Sequence, residues 1–141
     1  MVHALEEIRR VLVATGTLID LRPISDTLPV AVVSSRGPQE AGSVTPLPED
    51  LADDAAANHA MRIGERAGIF HREREEFFTF DYTWDSPSEM QEFVEKEWAN
   101  FARIDEPVWK RIRSLWAVAD ADALVRVQMR MIITRWGTGE D

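Results

Sequence analysis

The spacing of hydrophobic positions changes along the chain, and those changes predict most of the elements. Leu5, Ile8 and Leu12 recur at helical spacing. Glu6 and Glu7 lie early and Arg9 and Arg10 late, as a helix dipole prefers, so residues 3–13 read as a helix that Gly16 ends. Residues 17–22 and 28–34 read as short strands, with Pro29 confining the second to a sheet edge or a strand start. Residues 36–48 read as loop, with at most a short strand at 43–47. An alanine-rich helix over 49–67 follows, closed by Gly68. From 73 to 84 the period drops to two. Phe78, Phe80, Tyr82 and Trp84 point to one face, and Glu73, Glu75, Phe77, Thr79 and Asp81 to the other.

The best-marked boundary comes next. Ser86-Pro87-Ser88-Glu89 is a capping box with proline at the first helical position. Met90, Phe93, Val94, Trp98 and Phe101 then form one apolar stripe. Asp105 and Pro107 open another helix, with a stripe of Val108, Ile112, Leu115 and Trp116. A final strand is expected over 123–136. There Val125, Val127, Met129, Met131 and Ile133 alternate with Arg126, Gln128, Arg130, Ile132 and Thr134. The expectation is a single domain over 1–136, with a helical cap at 86–119 and a mobile tail at 137–141. The fold class is α/β, a mixed sheet with helices.

Composition narrows the function classes. Of the 141 residues 45% are apolar, enough for one buried core, so disorder is not the expectation. The chain has no cysteine, which excludes disulfides and thiolate chemistry and fits a reducing, cytoplasmic setting. No apolar run is long enough to span a membrane, and the acidic start at Glu6 and Glu7 is not that of a signal peptide. A net charge of -9 opposes nucleic-acid binding. Acid gathers at Glu40, Glu49, Asp50, Asp53 and Asp54, with no Lys or Arg between Arg36 and Arg62; this reads as a solvated face and an acidic loop.

The order is helix, strand, long loop, helix, strand, two helices, strand. Ala4-Leu5-Glu6-Glu7-Ile8-Arg9-Arg10-Val11-Leu12, the turn ending in Gly16, and Thr17-Leu18-Ile19-Asp20-Leu21-Arg22 resemble the fourth helix and fifth strand of class I S-adenosylmethionine-dependent methyltransferases. Residues 4–22 carry the specific match, and the rest agrees in order and pattern. The aromatic strand and the last strand sit where that family's sixth and seventh strands belong. The resemblance implies the C-terminal half of a Rossmann-like methyltransferase fold. The turn at Gly16 is expected to need positive φ, which glycine tolerates. The family's cofactor loop, a glycine-rich turn between strand and helix, has no counterpart among the glycines at 16, 37, 42, 64, 68, 137 and 139.

No catalytic residue and no metal site emerges. His3, His59 and His71 lack metal-ligand spacing, and Ser34 and Ser35 lack a nucleophile elbow. Glu73, Glu75 and Glu76 beside Arg72 and Arg74 read as cross-strand ion pairs with Arg126 and Arg130. By the resemblance, the substrate-binding positions are Arg22, Tyr82 and Trp84, at strand ends that the cap would cover. The implied function is the substrate-side half of a methyltransferase, catalytically incomplete alone. It would bind S-adenosylmethionine only if completed by a partner supplying a nucleotide-binding half, or act as a homodimer on a small-molecule substrate. Two other readings stay open. One is a small α+β ligand-binding domain with an aromatic-lined apolar pocket and no cofactor. The other is a structural dimerisation module.

Overall fold

The computed structural model of the chain describes residues 2–24 and 27–138. Among these the elements are α1 (Val2–Val11), β1 (Thr17–Pro23), β2 (Leu28–Ser34), β3 (Gly37–Pro46), α2 (Pro48–Arg66), β4 (Phe70–Trp84), α3 (Pro87–Glu97), β5 (Ala102–Arg103), α4 (Glu106–Trp116) and β6 (Leu124–Thr138). The fold is mixed α/β. Strand neighbours run β1-β6-β2-β3-β5, with β4 also on β6, and β1–β6, β2–β6, β2–β3 and β3–β5 are antiparallel. No helix among the described residues is long and apolar enough to cross a membrane. By its contacts the chain divides into two compact units, and the long strands β4 and β6 contribute residues to both.

The first unit joins residues up to 24, 52–78 and those from 131 onward. Its core is Leu5, Ala60, Met61, Phe70 and Trp136, with Ile8, Leu12, Leu18 and Ile69 packed against it. Leu5 of α1 reaches α2 where Gly64 leaves room, since a Cβ there would stand 3.2 Å from Leu5 Cδ1. α2 ends as its composition predicts. Gly68 has φ 70°, its N–H donates to Glu65 O at 3.1 Å, and the Ile69 N–H donates to Gly64 O at 2.9 Å. That pair of bonds is the Schellman arrangement, which satisfies two otherwise orphaned carbonyls.

The turn at Gly16 corrects the expectation. Its φ is not positive. Glycine is needed there for space, because a Cβ would lie 2.9 Å from both Leu12 Cβ and Val13 O. β6 runs on to Thr138, past the expected end at 136, and the Thr138 hydroxyl donates to the Ala14 carbonyl. The rest of the expected tail, 139–141, lies outside the described residues.

The second unit joins residues 25–51 and 79–130. Its core gathers Val30 and Val32 of β2, Val44 of β3, Trp84, Met90, Trp98, Trp109 and Ile112, and Val125 and Val127 of β6. The segment expected to be mostly loop is instead the ten-residue strand β3, paired along β2 from Ser34↔Gly37 to Leu28↔Val44. Gly37, at φ 101°, lets the chain reverse after Ser35 and Arg36. A bulge between Val30 and Ala31 uses Gly42, at φ 138°, and Ala41 is the extra residue, tucked into the core. The hairpin tip is tied down by Ser35 N–H to Asp122 at 2.9 Å and by Arg36 to Asp120 at 2.9 Å.

The alternation expected in β6 also needs correcting. Val125 and Val127 are buried, but further along the buried positions are Ile132, Thr134 and Trp136. The buried set thus passes from odd to even numbers between Met129 and Ile132, whereas the sequence pattern kept Met131 and Ile133 with the odd set. Trp109, absent from the expected stripe of α4, is buried alongside Ile112.

Candidate functional site

The residues picked out by sequence fall in both units. Arg22 belongs to the first. It sits at the end of β1, where side chains alternate between exposed and half-buried. Its guanidinium holds Asp20 in a two-pronged pair, Nε to Oδ1 at 2.7 Å and Nη2 to Oδ2 at 2.8 Å, and Nη1 donates to Asn58 Oδ1 of α2 at 2.6 Å. Asp20 and Arg22 share a face because they are two apart on a strand. Both side chains are largely buried, so this charge-assisted geometry is worth more than an exposed pair. It locks β1 to α2.

Tyr82 and Trp84 belong to the second unit, and the structure brings them together. Their rings stack at 6.0 Å with 10° between planes. Trp98, at the C-terminal cap of α3, meets Tyr82 edge-on at 5.0 Å and Trp84 at 5.9 Å. Phe93 lies 5.5 Å from Trp84, and Phe101 6.0 Å from Trp98. Such edge-to-face contacts match the ring quadrupoles and add to the area buried. The cluster exists because the period-two row of β4 meets the stripe of α3. Ser86 orients that stripe, its Oγ accepting the Glu89 N–H at 3.2 Å, while the Asp85 N–H donates to Glu89 Oε2 at 2.9 Å. The aromatic row is not uniform, however: Phe78 and Phe80 remain 42% and 45% exposed.

Glu73 and Glu75, with Glu76, do form ion pairs, though with partners other than those expected. Glu73 meets Arg135 at 2.6 Å, Glu75 meets Arg72 at 3.3 Å, and Glu76 meets Arg74 of its own strand. Register is the reason. Glu75 accepts from Thr134, while it is Asp81 that accepts from Gln128. The 73–76 stretch therefore lies beside the end of β6 rather than its start.

Two hollows were invisible in the sequence. In the first unit, Ile19, Ile133, Arg74, Glu76 and Arg135 line one of about 250 Å³. In the second, a groove of about 230 Å³ runs between the first turns of α3 and the side of α4 that carries Trp109, Arg113 and Trp116. Among the described residues no group of three or more His, Cys, Asp or Glu side chains is placed to hold a metal ion. The chain matches no protein-family model, no curated protein and no solved structure.

Proposed function

We propose that these 141 residues form the acceptor-side half of a class I S-adenosylmethionine-dependent methyltransferase, with the nucleotide-binding half supplied by other polypeptide. The observation that carries this is the place of β1. It pairs with β6 from Thr17↔Gly137 to Pro23↔Met131, β4 lies on β6 as well, and no other strand of the described residues pairs with β1. A fifth strand with the seventh beside it, and the fourth not yet in place, has these neighbours. β2 does not lie on β1, since it pairs with β3 and β6.

S-adenosylmethionine does not fit the residues present. A nucleotide loop needs glycine at positive φ between the end of a strand and the start of a helix. Among the described residues the three glycines at positive φ are occupied otherwise: Gly37 in the β2–β3 turn, Gly42 in the bulge, and Gly68 at the end of α2. No step of methyl transfer is assigned to this chain alone.

The test is retention of labelled S-adenosylhomocysteine. Chain produced alone is expected to retain none. Chain isolated from its native cells without denaturation is expected to elute above 16.1 kDa, as a complex that retains the label. A native chain that runs alone, or a complex that retains nothing, overturns the proposal, as does micromolar binding by the isolated chain.

A second reading, a small α+β ligand-binding domain without cofactor, is favoured by one observation. The second unit has its own core and carries an aromatic groove between α3 and α4.

A further inference from the structure

We propose that the groove between α3 and α4 binds a small one-ring aromatic carboxylate, the ring against Trp109 and Trp116 and the carboxylate on Arg113. Its volume of about 230 Å³ lies below the ~300–1,000 Å³ usual for larger organic ligands, so the occupant is a one-ring molecule. Two of the eight lining residues are tryptophans, which offer flat apolar surface with an N–H at the edge. Arg113 is the one formally charged residue in the lining, and it is positive on a chain whose net charge is -9.

Arg113 has donors to spare. Its Nη2 bonds Glu106 Oε1 at 2.7 Å, and no bond engages Nε or Nη1 among the described residues. The Arg113–Glu106 pair is solvent-exposed, so a carboxylate displaces it at little cost. A guanidinium matches a carboxylate with two parallel N–H bonds, a geometry that a neutral amide cannot reproduce. The start of α3 reinforces the choice. Ser86 and Ser88 stand in the same lining, at the positive end of the helix dipole.

The site is independent of the methyltransferase reading, because it needs no cofactor and no partner, and it deepens the ligand-binding reading that the same groove favours. The experiment is a titration of the full chain with phenylacetate and, separately, with phenylacetamide, followed by the side-chain indole N–H signals in nitrogen–proton correlation spectra. The five tryptophans give five such signals. Saturable shifts of Trp109 and Trp116 are expected with phenylacetate at a Kd of about 1 mM or tighter, and roughly tenfold weaker binding of the amide. Arg113→Gln should bring the acid down to the level of the amide and leave the amide unchanged. Equal binding of acid and amide by the native chain overturns the proposal. So do shifts centred on Trp84, Trp98 or Trp136, or no saturable shift at all. Any of these leaves label retention by the native complex unaffected, so the two proposals fail separately.

Discussion

Trp98 shows what one side chain can organise. It is 3% exposed and touches Tyr82, Trp84, Phe93 and Phe101, so it fills the centre of the aromatic cluster rather than capping its rim. Trp98→Ala should cost about 3–5 kcal/mol, through lost transfer energy plus the cavity left behind. The denaturation midpoint of the purified variant measures it, and a neutral substitution would mean the cluster is not a core. Gly42 shows the opposite constraint, a side chain that must be missing. An alanine Cβ there would meet Val108 Cγ2 at 2.9 Å on a backbone at φ 138°. Strain and overpacking act together, so Gly42→Ala should destabilise by about 1–3 kcal/mol in the same assay. An unchanged midpoint would mean that α4 yields to the methyl group without resistance.

Elements differed in how well they could be read from sequence, and the differences have local causes. α3 and the end of α2 were legible because their signals sit within a turn of the boundary. Ser86 is the plainest case. Ser86→Ala removes the acceptor of the Glu89 N–H and should cost about 1 kcal/mol, while Ser86→Asp should stay near the native midpoint. If both variants lose the same amount, capping is not what holds the start of α3. β3 was hidden because Gly37, Pro38, Gly42 and Pro46 each look like a breaker, and the bulge at Ala41 disrupts the period-two pattern that would have revealed a strand. The change of buried face in β6 was hidden because Met131, Ile132 and Ile133 are all apolar, so either register looked acceptable. That Tyr82 and Trp84 share a face was legible from alternation within one strand. The groove beside Arg113 was not, since it depends on how closely α3 approaches α4.

At the scale of the molecule, the open question is what meets the edge of β1. Ile19 and Leu21 are 54% and 53% exposed, while Asp20 and Arg22 neutralise each other on the opposite face. The edge thus lacks the free charges that normally discourage strand addition. Produced alone, the chain should pair through β1 with a second copy. Light scattering at micromolar concentration should give a mass near twice 16.1 kDa, and Leu21→Lys should return it to the monomer. Hydrogen exchange identifies the strand: β1 amides should be protected throughout in the dimer and only at alternate positions in the variant. A native chain that stays monomeric removes the argument from the open edge.

The change of buried face within β6 has a consequence for how this chain tolerates mutation over time. Between Met129 and Ile132 the buried positions pass from odd to even numbers, so the two halves of one strand answer to different cores. Exchanging one apolar residue for another in that stretch alters neither register. Losing or gaining a single residue there is another matter. It keeps one half in step and turns the other half's buried side chains outward. Met129, Met131 and Ile132 should therefore accept varied hydrophobic residues while the stretch keeps a constant length, a pattern opposite to that of an ordinary loop, where length varies most freely.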